Sequence, residues 1–153
     1  MRKIYLLLGF ILVLGACSKD DIKTYRGDNY LQFVKVVTDS SVCSFLAYPN
    51  DNELEFPVEV EVIGLPSDRE QEYKISVDQA KSTATTANYR LPDKFTMKPG
   101  KVRDTCKITF VKTAEISTVA LRLTLKLEST TDFLLGQTEC RSAIIYVSNV
   151  VAK

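Results

Sequence analysis

The chain has 153 residues, of which 45% are hydrophobic and 25% charged, and this composition is typical of one globular domain. Histidine is absent, so the protein lacks the commonest general base and the commonest transition-metal ligand. The formal net charge is only +1, and no clustered basic segment of the kind that binds nucleic acid is present.

The first 16 residues have the three-part pattern of a secretory signal peptide. Arg2 and Lys3 are basic, residues 4–14 form an uncharged apolar run, and Gly15 and Ala16 are small. As a helix, this run is roughly 16 Å long, whereas the hydrocarbon core of a bilayer is about 30 Å thick. We therefore predict a signal peptide helix at residues 1–16 rather than a permanent membrane span.

Cys17 follows this segment directly, and the stretch Leu14-Gly15-Ala16-Cys17 resembles the bacterial lipobox. The resemblance implies cleavage before Cys17, a thioether from its sulfur to diacylglycerol, and acylation of the new amino terminus by a fatty acid such as palmitate. Two or three acyl chains anchor a protein stably, whereas one chain is marginal. The alternatives are a plain signal peptide with an incidental cysteine, or an uncleaved anchor.

The residues after the cysteine, Ser18, Lys19, Asp20 and Asp21, resemble the acidic surface-export signal of lipoproteins in Bacteroidota-type Gram-negative bacteria. The resemblance implies an outer-membrane protein that faces the cell exterior; a solvated linker is the alternative. Residues 17–28 are charged and lack an apolar period, which predicts a flexible tether of roughly 18 Å. Without Arg2 and Lys3, the 20 basic residues become 18 against 19 acidic ones, a net charge of −1.

From residue 29 to residue 153 the dominant hydrophobic period is two, which indicates strands with one buried face. In residues 56–63, for example, Phe56, Val58, Val60 and Val62 alternate with outward positions. The predicted strands are Tyr30–Val37, Val42–Tyr48, Phe56–Ile63, Tyr73–Val77, Lys94–Met97, Cys106–Val111, Val119–Leu127 and Ser142–Val150.

Turn residues separate these strands. They include Tyr48-Pro49-Asn50-Asp51, Gly64-Leu65-Pro66-Ser67 and Lys98-Pro99-Gly100-Lys101. In the last, proline at the second position and glycine at the third favour a type II turn. The fold class that follows is all-β, an antiparallel two-sheet sandwich of about seven to nine strands.

The stretch from Ser82 to Phe110, "STATTANYRLPDKFTMKPGKVRDTCKITF", resembles the centre of a Calx-beta domain, and Leu121–Leu127 and Thr131-Asp132-Phe133 continue the pattern. With the N-terminal signals, the whole chain resembles uncharacterised, domain-of-unknown-function surface lipoproteins of Bacteroidota with a Calx-beta-like or immunoglobulin-like domain. The resemblance implies a non-catalytic accessory binding component of a glycan or nutrient uptake system. Its partners would be glycan or outer-membrane uptake proteins. An adhesion or protein–protein scaffold module is the alternative.

Two departures from the Calx-beta pattern concern calcium. Asn88-Tyr89 stands where the family has an acidic residue before tyrosine, and Thr113-Ala114-Glu115 replaces an expected Asp-Asp pair. We therefore expect neither calcium nor any other cofactor besides the lipid on Cys17. The related lipoproteins also continue beyond a position like Lys153, so this chain could be a shortened family member.

Three groups of residues could carry chemistry, and each has a simpler interpretation. Glu59 and Glu61 lie on one strand face about 6.5–7 Å apart, a separation compatible with glycosidase carboxylates, but alternating glutamates usually solvate an exposed face. The hydroxyls of Ser82–Thr86 could contact a sugar, or could bond to nearby backbone. Tyr48, Tyr73 and Tyr89 could stack on a ligand, although alternation places Tyr73 in the core.

Cys43, Cys106 and Cys140 remain once Cys17 is acylated. A Cys43–Cys106 or Cys106–Cys140 disulfide is permissible after export, and buried free thiols are the other possibility. No pair of cysteines has CxxC spacing, and a cysteine nucleophile would lack its usual histidine base. The sequence therefore predicts no catalytic residue, no metal ligand and no enzyme activity, and it leaves the ligand-binding residues unidentified.

Overall fold

The computed structural model describes residues 27–35 and 40–150. The predicted signal peptide, Cys17, the residues at positions 18–21 and most of the predicted tether lie outside these ranges. Ten strands form in chain order: β1 Tyr30–Phe33, β2 Ser41–Ser44, β3 Glu53–Ile63, β4 Gln71–Val77, β5 Tyr89–Arg90, β6 Phe95–Met97, β7 Arg103–Val111, β8 Leu121–Glu128, β9 Leu134–Leu135 and β10 Ser142–Ser148.

The remaining regular structure consists of three single 3₁₀ turns, at Phe45–Ala47, Gln79–Lys81 and Thr138–Cys140. Within the described ranges, no helix has the length and apolar character needed to cross a membrane.

The strands form two five-stranded sheets. Sheet one has the order β5-β7-β3-β1-β9, and sheet two has the order β2-β10-β8-β4-β6. The alternating apolar residues of both sheets face inward, as predicted, because a period of two places every second side chain on the same face. The core includes Phe33, Val60, Ile108, Phe110, Leu123, Leu125, Ile145 and Val147, each at most 1% exposed.

The all-β prediction is confirmed, but the purely antiparallel arrangement is wrong. The strand pairs β1–β9 and β2–β10 are both parallel, so the sheets are mixed. The chain passes from sheet one to sheet two between β1 and β2 and again between β9 and β10. In each sheet the parallel pair joins strands that are distant in the chain, β1 with β9 and β2 with β10.

The strand count of seven to nine was too low, and several bounds were too long. The strands β5 and β9 have two residues each, too few for an alternating pattern to be recognisable. Strand β2 ends at Ser44, where the Ser44 hydroxyl accepts a hydrogen bond from the Leu46 backbone N–H and caps the 3₁₀ turn. Val119 precedes β8 and is 50% exposed.

Two of the three predicted turns, Tyr48–Asp51 and Lys98–Lys101, have the hydrogen bond of a turn; Gly64 is the site of a bend. Gly100 has φ +73°, and the Lys101 N–H donates to the Lys98 carbonyl at 3.1 Å. Both features agree with the type II turn expected from Pro99-Gly100, since the third position of that turn requires positive φ. The Asp51 N–H likewise donates to the Tyr48 carbonyl at 3.1 Å.

A tyrosine–carboxylate hydrogen bond connects the two sheets. The hydroxyl of Tyr73, on β4, donates to Asp104 Oδ2, on β7, at 2.6 Å. Tyr73 is buried, as its alternation predicted. Burial raises the pKa of the Tyr73 hydroxyl, and the bond to Asp104 raises it further, because both disfavour the phenolate. The bond leaves the tyrosine as a neutral donor to a carboxylate.

Cys43, Cys106 and Cys140 are buried and free, so neither of the two possible disulfides is formed. Burial raises the pKa of the Cys43 thiol from 9.0 to about 11. The pKa of Cys106 rises to about 12, chiefly through burial and then through the nearby Asp104 carboxylate. The Cys106 thiol donates to the Val58 carbonyl at 3.4 Å, an interaction that requires the protonated form.

We predict that Cys43 and Cys106 resist iodoacetamide at pH 8 in the native protein and react in urea, because only the exposed thiolate is nucleophilic. Peptide mass spectrometry with and without urea measures this. The free energy of unfolding should also decrease as pH rises from 9 towards the folded-state pKa values of about 11 and 12, since the unfolded chain loses these protons first. Rapid labelling of either cysteine in the native state would contradict the prediction.

Candidate functional site

The outward surface of sheet one carries an aromatic residue between two aliphatic ones. Strand register places Tyr30 of β1 beside Ile63 of β3 and beside Leu134 of β9. Ile63 is 50% exposed and Leu134 is 43% exposed, and Tyr30 is partly buried between them. Three strands therefore present a continuous apolar row to solvent.

A hydrogen-bonded polar row lies next to it on the same face. Gln32 Nε2 donates to Glu61 Oε1 at 3.0 Å. Arg103 donates to Glu61 Oε2 through Nε at 3.1 Å and through Nη2 at 2.8 Å. The two rows are one strand repeat, about 6.6 Å, apart. We call the combined surface the Tyr30 face; it comprises Tyr30, Gln32, Glu61, Ile63, Arg103 and Leu134.

The polar row is held in place before any ligand binds. The Glu61 carboxylate accepts three hydrogen bonds, and its side chain is 19% exposed, whereas that of Arg103 is 67% exposed. Gln32 is also confined from the side of β9. A Cβ atom at Gly136 would lie 2.7 Å from Gln32 Oε1 and 2.9 Å from Gln32 Cβ. Glycine at this position thus lets β9 approach closely and restricts the Gln32 side chain.

A second glycine has a similar role at the start of β1. A Cβ atom at Gly64 would clash with the Asn29 side chain, whose Oδ1 accepts a hydrogen bond from the Leu65 N–H at 3.1 Å. This contact joins the β3–β4 turn to the point where the chain enters the sandwich. The entry of the chain and the Tyr30 face therefore lie at the same end of the domain.

A cleft between the sheets is the second candidate feature, and it lies beside the edge of β3. Strand β1 ends at Phe33, opposite Val60, and the last backbone bond on this side joins the Val34 N–H to the Glu59 carbonyl at 3.1 Å. Within the described ranges, no strand pairs with β3 from Glu53 to Pro57 on this side. Backbone groups of successive residues in a strand point to opposite edges, and those of Glu59 and Pro57 point away from β7. Proline has no N–H to donate, and at this position its absence costs no hydrogen bond to β7.

An apolar cleft of about 270 Å³ adjoins this open edge. Its lining includes Phe33, Phe56, Val58, Ala143 and Ile145, with Glu59 as an acidic residue among them. The cleft therefore combines unpaired strand backbone with apolar side chains from both sheets.

The tyrosines singled out from the sequence do not form a site together. Tyr73 and Tyr89 are only 3% and 6% exposed. The Tyr73 hydroxyl is bonded to Asp104, and the Tyr89 hydroxyl accepts a hydrogen bond from Gln79 Nε2 at 3.1 Å. Tyr48 is 56% exposed and remains open to solvent. The sequence did not identify Tyr30 as a site residue. Only the strand register shows that Tyr30 lies beside Ile63 and that Gln32 lies beside Glu61.

The hydroxyl run Ser82–Thr86 bonds mainly to its own surroundings, in agreement with the simpler interpretation. Ser82 Oγ donates to the Asp78 carbonyl at 2.8 Å, and Thr83 Oγ1 accepts from the Arg122 N–H at 2.7 Å. The bond from Arg122 attaches the segment to the backbone of β8, and the bond to Asp78 is local.

Asn88, at the departure from the Calx-beta pattern, has a structural role. It is 1% exposed, its Oδ1 accepts from the Thr85 N–H at 2.8 Å, and its Nδ2 donates to Thr113 Oγ1 at 3.0 Å. The amide needs both its donor and its acceptor here, and an ionised aspartate would lose the donor. The two departures, Asn88 and Thr113, thus bond to each other. In the parts of the chain that the structure describes, no group of three or more Cys, Asp or Glu side chains could hold a metal.

Glu59 and Glu61 do not act as a matched pair. Glu61 is bonded to Gln32 and Arg103, and Glu59 is exposed beside the cleft. The prediction that both lie on the outward face is confirmed. The sequence did not predict that Glu61 is held by hydrogen bonds, because its partners are distant in the chain. Gln32 is 29 positions away and Arg103 is 42 positions away.

Solved structures with a similar fold include three proteins from Bacteroides ovatus. One, of unknown function, has a TM-score of 0.58 and 13% identity and covers 76% of this chain and 43% of its own. A second is provisionally described as a carbohydrate binding protein and has a TM-score of 0.55 at 10% identity, covering 80% of this chain and 37% of its own. A third, of unknown function, has a TM-score of 0.50 at 12% identity over 81% of this chain and 46% of its own.

At these identities the similarity establishes the fold, and this chain spans less than half the length of each of the three proteins. The comparison with curated proteins gave no match. The Calx-beta resemblance stays a prediction. A family model matches residues 24–153, which include every strand of both sheets, and the chain therefore belongs to the family described as Domain of unknown function (DUF4843).

Proposed function

We propose that this protein is a non-catalytic lipoprotein of the Gram-negative outer membrane that binds carbohydrate at the Tyr30 face, as an accessory component of a glycan or nutrient uptake system. The observation that carries the proposal is the position of an aromatic and aliphatic row next to a hydrogen-bonded Gln–Glu–Arg row. The similarity in fold to a protein provisionally described as carbohydrate binding supports it.

The two rows match the two kinds of surface on a sugar ring. The C–H groups of a pyranose are apolar and pack against the faces of aromatic side chains, whereas its hydroxyl groups need both donors and acceptors. Glutamine and glutamate supply acceptors, arginine and glutamine supply donors, and all three are planar. A few polar groups fixed next to an apolar surface are the usual composition of a ligand site. Because the hydrogen bonds to Glu61 already exist, binding does not have to order these side chains.

The membrane anchor in this proposal rests on Cys17 and the residues at positions 18–21. Cleavage before Cys17 would leave a tether of roughly 18 Å before the first strand. Since the chain enters the sandwich beside the Tyr30 face, that face would be held near the membrane surface. Ser18, Lys19, Asp20 and Asp21 would direct the lipoprotein to the cell exterior.

We predict that Tyr30→Ala weakens the binding of a responsive glycan by at least about tenfold, which corresponds to about 1.4 kcal/mol. The loss arises because the aromatic face that packs on the sugar is removed. Residues 18–153 are screened against a glycan panel by thermal shift, since a ligand that binds the folded state raises stability by RT ln(1+[L]/Kd). Isothermal titration then gives the Kd of each variant.

Tyr48→Ala is the matched control, because Tyr48 is also an exposed tyrosine but lies away from the Tyr30 face. It should bind with the affinity of the unsubstituted protein. Glycan binding that survives Tyr30→Ala, or a thermal shift response that is flat across the panel, would count against this site.

For the anchor, we predict that Cys17→Ala abolishes the incorporation of labelled palmitate and releases the protein from the membrane fraction. The reason is that the sulfur of Cys17 is the atom to which diacylglycerol attaches. Cys43→Ala serves as the control, and its labelling should be unchanged. Equal labelling of the Cys17→Ala protein would show that the lipobox interpretation is wrong.

A second candidate function, a protein–protein module, is favoured by the open edge of β3. No strand among the described residues pairs with β3 at residues 53–57 on this side. This backbone can hydrogen-bond to an added strand, and alternate side chains of that strand would enter the adjoining apolar cleft. The occupant would be an extended segment of a partner protein with an apolar side chain at every second position.

This alternative predicts that a photo-crosslinking amino acid at position 57 captures a protein on intact cells. The same amino acid at position 126, on the exposed outer surface of sheet two, is the control and should capture none. The absence of any adduct at position 57 would contradict strand addition at this edge.

A further inference from the structure

The proposal of carbohydrate binding can be made more specific by the charges next to the Tyr30 face. We infer that the preferred carbohydrate is anionic, with uronate carboxylates or sulfate esters that bind to Lys98 and Lys101. This inference rests on the proposed function, because the cations extend the same surface.

The turn between β6 and β7 places these two cations together. Lys98 and Lys101 are the first and fourth residues of the type II turn, a geometry that brings their Cα atoms within about 7 Å. The turn itself is fixed at its tip, where the Gly100 N–H donates to the Ser67 carbonyl at 2.8 Å. Two ammonium groups are therefore presented from one anchored turn.

A surface depression of about 440 Å³ lies against this turn. Its lining consists of Lys98, Gly100, Lys101, Val102, Arg103 and Asp104. The volume is within the range of roughly 300–1,000 Å³ typical of small-ligand sites. Arg103 belongs both to this depression and to the Tyr30 face, so the two surfaces are continuous.

The charges around the depression are unequally compensated. Arg103 is paired with Glu61 at 2.8 Å. The other carboxylate, Asp104, lines the depression and accepts the Tyr73 hydroxyl at 2.6 Å. Lys98 and Lys101 have no carboxylate within 4.0 Å among the residues that the structure describes. With Arg103 paired with Glu61, the two lysines face the single carboxylate of Asp104, and the depression has a net excess of one positive charge.

Three other lysines of the domain differ in this respect, whereas Lys126, on the outer surface of sheet two, also has no carboxylate within 4.0 Å among the described residues. Lys74, Lys94 and Lys107 each form an ion pair with a glutamate at 2.6 Å. Lys112 donates to the Pro49 carbonyl at 2.9 Å. An anionic group bound between Lys98 and Lys101 would supply the counter-charge that Lys74, Lys94 and Lys107 find within the protein.

A saccharide fits this arrangement better than a bare anion does. The cations lie at one edge of a surface that also presents an aromatic ring and planar hydrogen-bonding groups. An anionic oligosaccharide can use both parts at once, with one sugar on Tyr30 and Ile63 and an acidic substituent at the turn. A free anion would use only the lysines.

The test compares acidic and neutral oligosaccharides with the same backbone. Full-length protein purified in uncharged detergent is titrated calorimetrically with oligogalacturonate and its methyl ester, and with a sulfated oligosaccharide and its desulfated form. We expect at least one acidic ligand to bind about tenfold more tightly than its neutral partner at low salt. The double variant Lys98→Ala/Lys101→Ala should remove that preference, since two screened surface contacts contribute about this much. Added salt should weaken acid binding in the unsubstituted protein.

The matched control is Lys81→Ala/Lys126→Ala, which removes the same charge from the other sheet and should keep the preference for acid. Equal binding of acidic and neutral forms with sensitivity to Tyr30→Ala would overturn this inference and leave carbohydrate binding intact. An acid preference that survives Lys98→Ala/Lys101→Ala would also overturn it. Binding of phosphatidylglycerol-doped micelles through Lys98 and Lys101, with no saccharide bound, would assign the cations to a lipid surface instead. If none of the four oligosaccharides binds, the inference is overturned, and the glycan panel decides separately whether the Tyr30 face binds carbohydrate.

Discussion

The register between β3 and β7 is the constraint on which the rest of this structure depends. Nine residue pairs, from Glu53–Val111 to Glu61–Arg103, align the two strands. In this register Val58 and Val60 face the core together with Ile108 and Phe110, and Glu61 faces Arg103 on the outside. A slip of one residue would turn glutamates into the core and valines into solvent. The same pairing therefore determines the core and the polar row of the candidate site.

The short strand β1 explains why sheet one has two separate candidate binding surfaces. It covers β3 only from Val60 to Ile63. Along this covered part, Tyr30 and Gln32 are added to the outward rows of sheet one, and the Tyr30 face results. Beyond Phe33, no strand in the described ranges pairs with the edge of β3 near Pro57, and the apolar cleft lies beside this edge. Carbohydrate binding and strand addition therefore concern separate surfaces, and one does not require the other.

Ion pairs on the outward face of sheet one join residues of neighbouring strands, and Lys98 and Lys101 differ from this arrangement. Glu53 pairs with Arg90, Glu55 with Lys107, and Glu61 with Arg103. Exposed pairs of this kind contribute little to stability individually, but they leave most of the sheet surface locally neutral. Lys98 and Lys101, on the turn beside this face, form no such ion pair among the described residues. An anionic ligand would therefore bind to two cations that have no carboxylate partner in this part of the chain.

Features that depend only on neighbouring residues could be predicted from the amino-acid sequence. These are the inward residues of the longer strands, the burial of Tyr73, the type II turn at Lys98–Lys101, and the prediction of a lipid anchor at Cys17, which rests on a short motif and does not need the fold. Tertiary structure decided the parallel pairs β1–β9 and β2–β10, because two-residue and four-residue strands carry too short a pattern to specify a partner. It also decided the Tyr30 face, where Gln32, Glu61 and Arg103 come from three strands. Local side-chain alternation shows which way a residue points, but only long-range strand register shows which residue lies beside it.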